Sequence, residues 1–265
     1  MMKRKFLYLF LLGLWLVSCQ KIVHLNLNTS APETVIEGIV NDSAQNNSVI
    51  ISRSVGFYQD NIFPSVLNAK VTISDNTGFT DSLTENSPGI YITHLLRGIP
   101  GNTYTLSVHM GDTVYSAVST MPGRVPLDSV TFSQNSGFRR QTITTLVNFQ
   151  DPPGQKNYYQ FNLFINNVQF TKEIFVFDDR LSDGKYIQLN LRTDSAYIQS
   201  GDLVLVQMNC VDENTYNYFS QLRQAISTGT FNTDASPANP ATNLAGGAFG
   251  FFSAQETDSK SAIVP

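Results

Sequence analysis

Thr103-Tyr-Thr-Leu-Ser-Val-His-Met110 decides the class of fold. Tyr104, Leu106, Val108 and Met110 fall on one face of an extended chain, and Thr103, Thr105, Ser107 and His109 on the other. A period of two, apolar against polar, describes a strand that covers a core on one side. Working outward, runs of the same kind recur at Thr34–Val40, Ser48–Val55, Ala69–Ser74, Phe79–Leu83, Ile90–Leu95 and Thr113–Thr120. Turn formers separate them: Asn41-Asp42, Asp75-Asn-Thr-Gly78, Pro88-Gly89, Pro100-Gly101 and Gly111-Asp112. Short strands at this spacing predict an antiparallel sandwich over residues 33–122.

Met121-Pro-Gly-Arg-Val-Pro126 stops any strand and marks a domain boundary. Beyond it, strands are expected at Asp128–Ser133, Gln141–Gln150, Asn157–Asn166, Gln169–Phe177, Tyr186–Leu191 and Leu203–Val211, with a closing strand at Ser261–Val264. One helix stands out near 212–227. Asp212 is its N-cap, Glu213 suits its dipole, and Tyr216, Phe219, Leu222 and Ile226 recur at helical spacing. The expected fold is therefore all-β: two antiparallel sandwich-like modules, the second spanning 126–265 and carrying the helix. Gly89-Ile-Tyr91 and Gly101-Asn-Thr-Tyr104 resemble the Gly/Tyr punctuation of immunoglobulin-like and transthyretin-like modules, which is the expectation for the first. In Asn239–Ser253, Gly246, Gly247 and Gly250 let the backbone lie close to its neighbours, so this stretch is expected inside the second module.

The chain opens Met1-Met-Lys-Arg-Lys5, and an almost unbroken apolar run follows from Phe6 to Val17. Basic start and short apolar run describe a secretory signal, residues 1–18. The run is about a dozen residues, too short for the ~30 Å core of a bilayer. Leu16-Val-Ser-Cys19 resembles a bacterial lipobox, which implies cleavage before Cys19 and acylation of its sulfur and amino group. Each buried CH₂ contributes ~0.8 kcal/mol, so several acyl chains make a stable anchor. Residues 19–32 then form a lipidated tether. Gln20, in place of an Asp beside the lipid cysteine, favours the outer membrane, and a periplasmic and a surface-facing leaflet both fit. Of the two cysteines, Cys210 is left without an intramolecular partner. Alternation groups it with Val204, Val206 and Met208 as a small buried hydrophobe. The formal charge is -4, with Lys3, Arg4 and Lys5 inside the signal, so the mature chain is acidic and a poor ligand for nucleic acid.

Several stretches fall in the order found in the "domain of unknown function 4249" lipoproteins. They are Thr34-Val-Ile-Glu-Gly-Ile-Val40, Phe177-Asp-Asp-Arg-Leu-Ser-Asp-Gly184, Gly201-Asp-Leu-Val-Leu-Val206, Tyr216-Asn-Tyr-Phe-Ser-Gln-Leu222 and Asn239-Pro-Ala-Thr-Asn-Leu-Ala-Gly-Gly-Ala-Phe-Gly-Phe-Phe-Ser253. The whole mature chain resembles this family, and it departs in its tether, which is often acidic in the family. The resemblance implies an outer-membrane lipoprotein accompanying a TonB-dependent receptor, and it brings no catalytic residues.

No GxSxG, HExxH, CxxC or Walker sequence is present. His24, His94 and His109 have no second His or Cys at metal spacing. Asp178-Asp179 and Asp183-Gly184 offer oxygen ligands, but their spacing misses the EF-hand, and a polar turn needs such residues. No metal or cofactor is assigned. Tyr158 and Phe164 share the nominally outer face of their strand with Gln160, Asn162 and Asn166. They are candidates for contact with a ligand or partner, or for cover by the helix. Asp-(Ser/Thr)-apolar recurs at Ser43, Ser82, Thr113, Ser129 and Ser195, and this text resembles a bacterial O-glycosylation acceptor. The function expected is that of a non-enzymatic outer-membrane lipoprotein, a partner of a TonB-dependent transporter. The alternative is a glycan- or nutrient-binding surface module.

Overall fold

A computed structural model describes residues 31–42, 47–56, 59–136, 141–193, 198–228 and 239–265. The first strands are β1 (Thr34–Asn41), β2 (Ser48–Arg53), β3 (Lys70–Asp75), β4 (Thr80–Ser82), β5 (Thr84–Ser87), β6 (Ile90–Ile92), β7 (Thr103–Met110) and β8 (Thr113–Thr120). After Met121–Pro126 come β9 (Leu127–Ser136), β10 (Gln141–Gln150), β11 (Tyr158–Ile165), β12 (Val168–Gln169), β13 (Phe175–Asp178), β14 (Tyr186–Leu191) and β15 (Leu203–Val211). The helix α1 (Glu213–Thr228), β16 (Leu244–Ala245) and β17 (Phe249–Ile263) complete the order.

Three sheets hold these strands. A nine-stranded sheet runs β12-β11-β15-β17-β1-β2-β6-β5, with β13 also on β11. A five-stranded sheet runs β16-β8-β7-β3-β4, and a three-stranded one β14-β10-β9. The β7 alternation holds: Tyr104, Leu106 and Val108 are buried, and Thr103, Thr105 and Ser107 are partly exposed. The protein is all-β, as its sequence predicts.

Two apolar cores form. The first draws Ile36, Val40, Val49 and Ile51 from the large sheet against Val71, Ile73, Leu106 and Val108 of the five-stranded sheet. The second draws Tyr159, Phe161, Val204 and Met208 from the large sheet against Val130, Val147, Phe149 and Leu191 of the three-stranded sheet. The molecule is thus two sandwiches that share one layer. Met121 belongs to the first core and Val125 to the second, so the chain passes from one core to the other within Met121–Pro126.

The C-terminal stretch corrects the expected division. Leu244, Ala248, Phe252 and Ala254 lie in the first core, not in the second module. Leu244 pairs with Ala117 of β8. The closing strand runs from Phe249, not Ser261, and it serves both sandwiches. Phe249–Gln255 pair in parallel with β1, and Glu256–Ile263 pair antiparallel with β15. Segment 126–265 is therefore not self-contained. Gly250, at φ 101°, passes so close to Ile36 that a Cβ there would strike its carbonyl oxygen. The close approach expected of these glycines is present at Gly246 and Gly250, against the first module, while Gly247 faces open space.

The predicted strand Gln169–Phe177 is also two pieces. Asn166 and Asn167, at φ 51° and 66°, turn β11 back into β12, and a separate β13 then pairs with the other end of β11.

Candidate functional site

The outer face of the large sheet carries α1 and, beside it, an open polar hollow. Asp212 Oδ1 accepts the backbone N–H of Thr215 at 2.8 Å, which caps α1 as expected. The other oxygen, Oδ2, accepts Ser119 Oγ at 2.6 Å, and Ser119 Oγ accepts the N–H of Ala254 at 2.8 Å. These bonds fix the helix start to β8 and β17. Tyr218 and Phe219 then pack on Phe251, one ring tilted and the other edge-on, with centroids 5.1 and 4.9 Å from it.

The hollow, about 460 Å³, is lined by Asn162 of β11, Gln207 and Asn209 of β15, Gln255, Thr257 and Ser259 of β17, and Ile39, Asn41 and Asp42 at the end of β1. Strand register brings the amides together: Gln160 faces Asn209, Asn162 faces Gln207, and Asn209 faces Thr257. Asn209 Nδ2 donates to Gln160 Oε1 at 2.5 Å, and Gln160 Nε2 to Asn162 Oδ1 at 2.8 Å. Thr257 Oγ1 donates to Asn209 Oδ1 at 2.8 Å. The result is a fixed floor of uncharged donors and acceptors, suited to hydroxyl or amide groups of a ligand.

Tyr158 and Phe164 share this face but not one platform. Six positions along β11 separate them, roughly 20 Å. Tyr158 is half-buried by α1, its ring 5.2 Å from that of Tyr216. Cover by the helix, one of the two readings of its sequence, is what the structure places there. Phe164, also half-buried, sits opposite Leu205 and Gln169, away from Tyr216.

Ser82 and Thr113 are exposed, whereas Ser129 is half-buried and its Oγ accepts Asn148 Nδ2 at 3.2 Å. Cys19, Ser43 and Ser195 lie outside the described residues. Cys210 is buried and free, and burial, first of all, pushes its thiol up to about 12. It is therefore a neutral core side chain. His94 and His109 are exposed.

Glu256 lies between the two cores, 1% exposed, with Arg124 Nε 3.2 Å from its Oε1. Burial, then the charge of Asp42, raises its carboxyl to about 7 despite Arg124.

A third feature was only half visible in the sequence. The turn between β13 and β14 forms as expected, with Ser182 N–H bonded to Asp179 O at 2.7 Å. It also brings Asp179 and Asp183 to Asp151, which follows β10, so that one carboxylate oxygen from each lies within 4.8 Å of the others. Asp151 is fully buried and Asp179 nearly so, while Asp183 is exposed. Tyr159 Oη donates to Asp151 Oδ1 at 2.5 Å and Gly184 N–H to Oδ2 at 3.0 Å. Asn157 N–H donates to Asp179 Oδ2 at 2.9 Å, and Gly154 N–H to Asp183 Oδ1 at 2.8 Å. Burial, joined by the charges of Asp151 and Asp183, holds the Asp179 carboxyl above its usual range. Asp151 gave no signal of its own in the sequence, where it merely precedes Pro152-Pro153-Gly154.

The family described as "Domain of unknown function (DUF4249)" matches the chain over residues 21–261. The chain belongs to this family. The DUF4249 match takes in the polar hollow, the acidic cluster, the whole first core and all but the last residues of the shared strand and the second core, and it begins two residues after Cys19. No curated protein shows significant similarity to the chain.

Proposed function

We propose that this DUF4249-family protein is a non-enzymatic lipoprotein of the outer membrane that works by non-covalent binding, as an accessory partner of a TonB-dependent transporter. The observation that carries the reading is Leu16-Val-Ser-Cys19 behind a basic, apolar segment. Acyl chains on Cys19 would hold the folded part at a membrane surface through the tether. The resemblance of the chain to lipoproteins that accompany such receptors supplies the partner. Exposed Ile62, Phe63 and Leu67 along one loop of the first sandwich are consistent with a surface that a partner covers.

The test is fractionation followed by affinity capture from outer membranes, read by mass spectrometry. Wild-type protein is expected in the outer membrane with a TonB-dependent receptor. Cys19→Ala is expected to be released or left unprocessed. Correctly cleaved Cys19→Ala that still sediments with the outer membrane would overturn the anchor. Capture without any such receptor would overturn the partner.

The polar hollow favours a second reading, a module that binds a glycan or other nutrient rich in hydroxyl groups. Titration with oligosaccharides, repeated on Asn162→Ala and Gln207→Ala, separates the two. In either reading the exposed hydroxyls of Ser82 and Thr113 are open to O-glycosylation, and intact mass of the native protein checks it.

A further inference from the structure

We propose that Asp151, Asp179, Asp183 and the side-chain oxygen of Asn157 bind a calcium ion that ties together three segments of the second sandwich. The geometry comes first. Ligand oxygens on calcium lie roughly 2.3–2.6 Å from the ion, so any two of them are at most about 5 Å apart. The three carboxylates meet this limit, at 4.8 Å or less. They come from two turns, after β10 and between β13 and β14, that are distant in sequence.

Charge comes next. The ion pairs of Arg124 with Glu256 and Asp258, and of Arg180 with Asp178, lie outside this cluster. Its hydrogen-bond donors are a phenol and three backbone N–H groups, all neutral. Neutral donors orient carboxylates without cancelling three negative charges, two of them buried. A divalent cation cancels most of that charge at one point.

Asn157 is an independent observation. It is 7% exposed, and its Oδ1 has no hydrogen-bond partner. Tyr159 and Phe177 are paired across β11 and β13, and both pack on the second core. One alternation back along β11 and one forward along β13, Asn157 and Asp179 project from the same inner face. Asp179 N–H bonds to Asn157 O at 3.3 Å, so the two residues are neighbours across the ladder. A buried amide oxygen that accepts no hydrogen bond, on the neighbour of a buried carboxylate, is a ligand for a cation.

The donor set selects the metal. It is all oxygen, with no His or Cys, which disfavours zinc and copper. The ligands sit on turns, and exposed Asp183 leaves one side open for water. Calcium accepts 6–8 oxygens in such loose arrangements, whereas magnesium demands a near-ideal octahedron.

The experiment uses the full-length chain in mild detergent, stripped with EDTA. Terbium stands in for calcium, since Tyr159, bonded to Asp151, is placed to sensitise its luminescence. Sensitised emission that calcium displaces is expected. Thermal unfolding should shift upward by about 5–10 °C at calcium well above Kd. Asp183→Asn should weaken calcium binding at least about tenfold, while its melting temperature in EDTA equals or exceeds that of wild type. Glu173→Gln, an exposed acid outside the cluster, should respond to calcium like wild type. No sensitised emission and no thermal shift up to about 10 mM calcium would overturn the site. So would an equal calcium response in Asp183→Asn.

Discussion

At the scale of single residues, buried carboxylates do most of the specifying. Asp81 is 6% exposed, and its Oδ2 accepts the N–H groups of His94, Leu95 and Leu96 at 2.9, 2.8 and 2.9 Å. Burial alone would raise its carboxyl, but those N–H groups outweigh it and hold the pKa below the usual value. The stability that Asp81 contributes is thus present above the unfolded value of 3.8 and is lost as pH falls through the folded one. Asp81→Ala strands three donors and should cost at least about 2–3 kcal/mol, measured by denaturant unfolding. Glu256 has the opposite sign. Its pKa rises on folding from 4.5 to about 7, so the folded state keeps a proton that the unfolded state has lost. Stability should fall as pH rises from 4.5 to about 7 and level off above. Glu256→Gln should remove that slope and melt higher than wild type at about pH 8, checked by melting over a pH series. None of this was legible in the sequence. Asp81 reads as one residue of the predicted strand Phe79–Leu83, and its three partners lie in a different loop. Glu256 sits in Glu256-Thr-Asp-Ser-Lys260, whose polarity conceals a strand.

At the scale of elements, the readable ones were those with one wet face. Thr103–Met110, Thr113–Thr120, Gln141–Gln150, Tyr186–Leu191 and Leu203–Val211 begin and end where alternation places them. The N-cap of α1 was legible too, because capping is local. The cover of Tyr158 was open in the sequence, because it depends on where the helix lands. The strand β17 was missed over most of its length, since it is paired on both sides and crosses from one core to the other. Its first half alternates Phe251 outward, under Tyr218 and Phe219, with Phe252 inward, fully buried in the first core. Phe252→Ala should cost about 3–5 kcal/mol in a denaturant titration. Phe251→Ala should loosen α1 first, seen as faster amide exchange in residues 213–228 than in β15. Asp212→Ala should cost about 1 kcal/mol for the cap alone, and more if the bond to Ser119 is also felt, again by denaturant unfolding.

At the scale of the molecule, the all-β class was legible and the wiring was not. Val35 pairs with Phe249, and such a distant pairing leaves no periodic trace in either strand. A fragment of residues 33–121 lacks Leu244, Phe252 and Ala254 from its core and the parallel partner of β1. It should not unfold cooperatively alone. The same fragment followed by a flexible linker and residues 239–257 should regain a cooperative melt in calorimetry. The shared strand also sets a timetable. A chain that emerges N-terminus first exposes β1 with an empty edge until residues 244–254 arrive, so the first sandwich, whose strands are made first, cannot close until the chain is nearly complete. Long-range closure of this kind is slow, and open strand edges invite aggregation meanwhile. Under the export proposed above, that delay keeps the chain threadable: its earliest residues cannot lock before its latest have passed.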